Sequence, residues 1–299
     1  MKILVTGGAG FIGSNLVRAL NRRGHTNIVI SDFLKVDFYG GKRTNLGALR
    51  YNTYVDAGEL LGRLNDFGKF DVVFHLGEYA RVEKSFEDMP LVWHSNKDGT
   101  FAVLEFCRKQ GAKIIYAGSS TKFGLPAGSA QTGDGGLGRN QSPYAWSKAS
   151  NTELVQNYGA WFNLPYAVTY FYNVYGPREL SGKFGTVIEI FRQACLRGEP
   201  LKVVAPGTQK RIFTHVDDIV RGLVMVGEKG AGDGYGLGAN EEYSILEVAK
   251  MFDEKIEMLS ERAGNRMNSS IDLTRSHDEL GWRAKKDLVN YVKEFLASL

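Results

Sequence analysis

The run Met1–Leu20, MKILVTGGAGFIGSNLVRAL, leaves the chain little freedom in how it begins to fold. Ile3 to Val5 is a short apolar run of the kind found in a buried strand. Gly7, Gly10 and Gly13 follow at once, and Phe11, Ile12, Leu16 and Leu20 then repeat at helical spacing. A strand that turns through glycines into a helix leaves backbone N–H groups pointing outward at the positive end of the helix dipole. That arrangement holds a pyrophosphate. Gly7 is expected to make the tight turn, Gly10 to let phosphate approach the backbone, and Gly13 to let the helix lie close on the sheet. Phe11 and Ile12, at the helix start, are candidate phosphate contacts through their N–H groups.

The next strand, Asn27 to Ser31, ends in Asp32, about 20 residues past the glycines. A carboxylate there accepts hydrogen bonds from both hydroxyls of an adenosine ribose and repels a 2′-phosphate, which favours NAD over NADP. Lys35, Lys42 and Arg43 follow closely and temper that preference, and Lys42 is itself a candidate cofactor contact. Further strands are expected to end at Val55-Asp56 and to span Asp71–Leu76, Lys113–Ala117 and Tyr166–Phe171, with helices from about Leu91 to Lys109 and from Pro143 to Phe162. Pro143 suits a first helical turn.

This alternation predicts an α/β fold, a Rossmann-type doubly wound parallel sheet whose ligands lie beyond the carboxyl ends of the strands. Gly7, Asp32, Asp56, Gly77, Ser119 and Asn173 all fall at such ends and are expected to share one crevice. Leu76 and Gly77, after strand four, are candidates to line the cofactor. Residues 1–176 are expected to form the NAD-binding domain. Residues 177–299 are expected to form a smaller substrate-binding lobe, interleaved with the first by crossovers, with helices at Thr186–Arg197 and Val216–Val226, a strand at Gly234–Leu237 and a last helix at Asp287–Leu296. Between Leu125 and Gln141 all periodicity breaks, and Gly128, Gly133, Gly135, Gly136 and Gly138 mark a loop that could close over substrate.

Tyr144 and Lys148, in YAWSK, stand one turn apart on a single helical face, near the end of strand five where Ser119 sits. A phenol is a poor base at neutral pH. A lysine cation and a positively charged nicotinamide beside it stabilise the phenolate. An alcohol oriented by Ser119 and deprotonated by Tyr144 next to NAD⁺ is set up for hydride transfer.

With 37 basic residues against 33 acidic ones the formal charge is only +4, and the basic pairs (Arg22-Arg23, Lys42-Arg43, Lys285-Lys286) are dispersed. A nucleic-acid partner needs a basic face and is not expected. Cys107 and Cys195 lie in apolar helical patterns, read as reduced buried thiols rather than a disulfide or zinc pair. The HVDD segment (His215, Asp217, Asp218) is read as a helix cap in preference to a metal site. No apolar run approaches the ~20 residues of a membrane span, and strand one begins at the first residues with no signal peptide before it, so a cytoplasmic protein is expected.

These residues together resemble the extended short-chain dehydrogenase/reductase family, and within it the NAD-dependent nucleotide-sugar epimerases, relatives of UDP-galactose 4-epimerase. TGGAGFIG (Thr6 to Gly13) matches that family's TGxxGxxG signature, Tyr144 to Lys148 its YxxxK, and Ser119 its strand-five Ser/Thr. The resemblance covers nearly the whole chain. It implies catalysis by Ser119, Tyr144 and Lys148, and adenine contacts at Asp56 and Ala57. Asn96 resembles the asparagine ahead of the family's long helix, and Asn173, Arg211 and Arg262 resemble the residues that bind a substrate diphosphate.

The departures are as informative. Dehydrating relatives place Asp-Glu directly after the catalytic Thr, and decarboxylating relatives carry glutamate at the second of those positions. Here the two positions, candidate substrate contacts, are Ser120 and Thr121. The resemblance therefore implies epimerisation at C4 of a UDP-hexose of glucose, N-acetylglucosamine or glucuronate type. The alternatives are a 4-keto reductase, a 2- or 5-epimerase, or a non-catalytic NAD sensor. Ser269 falls where relatives restricted to plain hexoses carry tyrosine, leaving room for an N-acetyl group. Glu78 replaces a small or apolar residue; it is expected to stand close to the nicotinamide or the sugar, where it either tunes substrate choice or is a satisfied polar group. The family's dimers pair through the two long helices, implying a homodimer.

Overall fold

Four-residue apolar segments such as Ile3–Thr6 and Val72–His75 are buried on both faces, which only the centre of a parallel sheet provides. The computed structural model of the chain has such a sheet; it describes residues 1–34, 41–119, 142–181, 185–261 and 272–299. Strands β1 (Ile3–Thr6), β2 (Ile28–Asp32), β3 (Thr53–Asp56), β4 (Val72–His75), β5 (Lys113–Ala117) and β6 (Tyr166–Phe171) are joined by a seventh, Gly232–Leu237. Their spatial order is Gly232–Leu237, β6, β5, β4, β1, β2, β3, every pairing parallel. The order reverses at β1, which lies between β2 and β4, so the ligand crevice opens over their carboxyl ends.

Helix α1 (Phe11–Arg22) and the Val216–Lys229 helix cover one face over a core containing Ile3, Val5, Leu16, Ile30, Leu223 and Trp282. The Gly99–Gln110 and Pro143–Phe162 helices cover the other, over Leu4, Val73, Leu104, Tyr116 and Val155. A third core, built on Tyr175, Phe191, Leu201, Phe213 and Phe252, belongs to the later part of the chain. The Gly232–Leu237 strand, although it lies past residue 176, completes the sheet of the first part beside β6.

Local signals place the helix ends. Ser142 accepts the N–H of Ala145 at 3.1 Å and Pro143 fills the first position, as the sequence implies. His215 is the cap of its helix, its Nδ1 accepting the N–H of Asp217 at 3.1 Å, so HVDD is a capping segment. The helix expected from about Leu91 is built differently. Met89–Val92 is α-helical, Trp93–Asp98 forms a wider π-helical turn, and the regular helix resumes at Gly99. The wide turn lets Asn96 point inward. Its amide donates to Tyr79 O at 3.1 Å and to Ser147 Oγ at 2.9 Å, and its Oδ1 accepts the N–H of Tyr79 at 2.6 Å. Among the described residues no helix is long and apolar enough to cross a membrane, and no cluster of His, Cys, Asp and Glu is arranged to hold a metal ion.

Candidate active site

The glycine loop is closed so tightly that two of its glycines admit no other residue. Gly7 has φ +69°, and a Cβ there would lie 2.8 Å from Leu76 O and 2.9 Å from the Gly77 N and Cα; a Cβ on Gly13 would lie 2.1 Å from Gly7 O. Gly10 is freer of protein, its nearest neighbour being Gly7 O at 3.2 Å. No side chain caps α1 and its first turn holds no acid, so the N–H groups at Phe11 and Ile12 are left to the crevice. These features fit the pyrophosphate of a dinucleotide.

Asp32 is more engaged than a bare ribose acceptor. Its Oδ2 accepts from the N–H groups of Ala9 (2.9 Å) and Gly10 (3.0 Å), while Oδ1 takes Phe33 N–H at 2.8 Å and Lys42 Nζ at 2.6 Å. The carboxylate thus fastens the glycine loop to the end of β2, and Lys42 is placed on it directly. Asp56 lies opposite Asp32 in the register of β3, capping the helix that begins at Ala57.

Ser119 is buried two residues past β5, and Tyr144, half-buried, starts the helix that carries Lys148. Lys148 Nζ is held by Ala117 O at 2.8 Å and by the carboxylate of Glu78, above the ring of Tyr116. The strand ends thus bring Ser119, Tyr144 and Lys148 to the side of the crevice nearest β5. Asn173 has φ +38° and donates to Ile212 O at 3.0 Å, linking β6 to the segment that carries the half-exposed Arg211. Ser120, Thr121, Arg262 and Ser269 lie outside the described residues.

Glu78 turns its side chain into the protein. Its side chain is only 1% exposed and its oxygens are taken up by five protein contacts. Of the two roles expected for it, the structure shows the satisfied polar group, because a carboxylate on this short loop drops between the Gly99–Gln110 and Pro143–Phe162 helices. His75 behind it was not singled out from the sequence. Its Nδ1 lies 2.7 Å from Thr6 Oγ1 and its Nε2 2.8 Å from Thr100 Oγ1. A histidine in an apolar strand carries no local signal of such partners.

Burial pushes the His75 imidazole down to about 4, and burial with Lys286 nearby does the same to His215. Each takes up a proton near 6.5 when unfolded. Their contribution to stability is therefore complete above that pH and is lost as pH falls toward 4. Glu179, pushed up to about 7 by burial, opposes them, because it keeps its proton in the fold over part of that range. Two groups outweigh one, so the urea midpoint is expected to fall between pH 6.5 and 5. A midpoint that rises on acidification would mean that these imidazoles are charged in the folded protein.

Residues 3–238 match the model of the NAD dependent epimerase/dehydratase family. The chain belongs to that family. It is 31% identical over 300 residues to a UDP-glucose 4-epimerase of Mycolicibacterium smegmatis, covering 95% of this chain and 93% of the relative. It is 32% identical to a UDP-N-acetyl-alpha-D-glucosaminuronate decarboxylase of Bacillus cytotoxicus, covering 83% and 78%. Its fold superimposes with TM-score 0.85, at 26% identity and over 100% and 99% of the two chains, on a UDP-glucuronic acid 4-epimerase of Bacillus cereus solved with UDP-glucuronic acid and NAD. The expected cofactor and the Rossmann-type fold are both those of this family.

Proposed function

We propose that the protein is a UDP-sugar 4-epimerase that retains its NAD. The carrying observation is Ser119, Tyr144 and Lys148 gathered at the β5 side of the glycine-loop crevice, with Ser120 and Thr121 where eliminating or decarboxylating relatives carry acids. Ser119 orients the sugar 4-hydroxyl, and Tyr144 takes its proton with Lys148 stabilising the phenolate. NAD, when bound, accepts and returns the hydride at C4. Because the 4-keto sugar turns in the pocket between the two transfers, the hydride returns to the other face of C4 while Tyr144 gives its proton back to the C4 oxygen. Residues 1–176 hold the cofactor; Arg211 and Arg262, from residues 177–299, grip the diphosphate as bidentate donors.

The test is an NMR or chromatographic assay of purified protein with UDP-glucose, UDP-N-acetylglucosamine and UDP-glucuronate and no added cofactor. Conversion of one of them to its 4-epimer is expected. Carbon dioxide release from the glucuronate, or net consumption of NADH by a keto sugar, would replace the epimerase with a decarboxylase or a reductase.

The assembly we infer is a homodimer through the two long helices. Phe101 (52% exposed) on one helix and Trp161 (62%) and Phe162 on the other offer the aromatic face that a second copy would cover. Light scattering is expected to give twice the chain mass, and Phe101→Glu with Trp161→Glu to give the monomer. A monomeric wild type would sink the dimer. Free thiols at the buried Cys107 and half-buried Cys195 support a cytoplasmic location.

A further inference from the structure

Lys148 is backed by a directed chain of hydrogen bonds that ends on the carboxylate of Glu78. Glu78 accepts from Thr100 Oγ1 at 2.6 Å, Asn151 Nδ2 at 2.7 Å, Tyr116 OH at 3.0 and 3.1 Å, and Lys148 Nζ. An ionised carboxylate only accepts. Thr100 therefore spends its single proton on Glu78, and the His75 Nε2 beside it must donate. His75 then carries its proton on Nε2, and its Nδ1 accepts from Thr6 Oγ1, which in turn accepts the N–H of Gly77 at 3.0 Å. Every proton from the base of the glycine loop to the lysine is thus oriented by one negative charge.

The groups facing this charge come from every neighbouring element: His75 from β4, Tyr116 from β5, Lys97 and Thr100 from the π-turn and the helix after it, and Lys148 and Asn151 from the Pro143–Phe162 helix, whose Tyr144 faces Tyr116. Burial alone would raise the Glu78 carboxyl, but Lys148, foremost among the groups around it, outweighs burial and holds it below the usual range. Burial keeps His75 neutral, so Lys148 is the cation in contact with the carboxylate.

We propose that Glu78 is a positioning residue that holds Lys148 as an ammonium ion inside the protein and so keeps the Tyr144 pair active at alkaline pH. A lysine only 7% exposed is driven toward its neutral form unless an opposite charge touches it. Glu78 supplies that charge from the loop after β4, in direct contact with the Lys148 ammonium. The catalytic part of this inference rests on the epimerase reading; the charge on Lys148 does not.

Two measurements separate them. In protein labelled with ¹³C at lysine Cε, the Lys148 signal is identified by its loss in Lys148→Met. Its titration midpoint is expected to lie at least one pH unit lower in Glu78→Gln than in the wild type. Glu78→Asp, which keeps the charge and shortens the reach, is expected to restore most of the difference. The falling alkaline limb of the kcat profile is expected to move in step. An unmoved Lys148 midpoint in Glu78→Gln, or a Glu78→Asp as shifted as Glu78→Gln, would reduce Glu78 to packing and overturn the proposal. A shifted midpoint in a protein without epimerase activity would leave the charge assignment standing and remove the proposed reaction alone.

Discussion

Tyr144→Phe is expected to lower kcat about 10³-fold while leaving the protein folded and its NAD in place. A positioned acid–base group contributes roughly 10²–10⁴-fold, and here the same hydroxyl serves both halves of the proposed reaction. The ring itself stays. Tyr144 is half-buried at the start of a helix whose first turn is fixed by Ser142 and Pro143, and neither depends on the phenol oxygen. The measurement is turnover of the sugar nucleotide identified in the epimer assay, set beside the NAD released from denatured protein. Turnover within tenfold of the wild type would remove Tyr144 as the base. Loss of NAD along with turnover would mean that the hydroxyl holds the cofactor rather than the proton.

The second large effect is expected at Gly13→Ala. One added methyl group would lie 2.1 Å from the carbonyl oxygen of Gly7 and 2.8 Å from Gly8 Cα, and both are backbone atoms held in place by the loop's own bonds. The helix must move away from the sheet. Overpacking of this kind costs about 1–3 kcal/mol, and the displaced helix N-terminus no longer meets the pyrophosphate. Purified Gly13→Ala is expected to carry less than a tenth of the wild-type NAD and to melt several degrees lower. Gly10→Ala is the matched control. Its methyl group would meet Gly7 O at 3.2 Å and Asp32 Oδ2 only at 3.9 Å, so it is expected to weaken NAD binding with little change in melting temperature. Equal melting losses in the two variants would contradict this division of roles.

The elements lining the crevice were legible because local chemistry marks them. Gly7 and Gly13 announce the loop, Pro143 the start of the helix bearing Tyr144 and Lys148, and Asp32 the end of β2. Several observed bounds differ from the expected ones by a few residues: Ile28 rather than Asn27 begins β2, Val187 rather than Thr186 its helix, and the helix expected over Val216–Val226 runs on to Lys229. Glu78 was legible only as a departure. Its partners Thr100, Tyr116, Lys148 and Asn151 come from three separate elements, and no spacing within the sequence brings them together. Asn96 was noticed, but the π-turn that aims it inward is fixed by Tyr79 and Ser147, each far along the chain. Asp32 was read as a ribose acceptor, and its service to the N–H groups of Ala9 and Gly10 became visible only once the loop closed over it. The Ile256–Leu259 strand, paired with Leu201–Val204, was missed because Glu257 and Met258 point outward and blur the apolar pattern.

The Gly232–Leu237 strand also has a consequence for the order in which this protein can be made. From the moment β6 has left the ribosome until residues 232–237 follow it, the sheet has six strands and β6 has one edge open. That edge includes Val168 and Tyr170, side chains that end up buried. The sheet is finished only when residue 237 has left the exit tunnel, and α1 gains its covering helix, Val216–Lys229, just before that. For the length of that delay the nascent chain presents an unpaired apolar strand, the kind of edge that pairs with whatever strand it meets first.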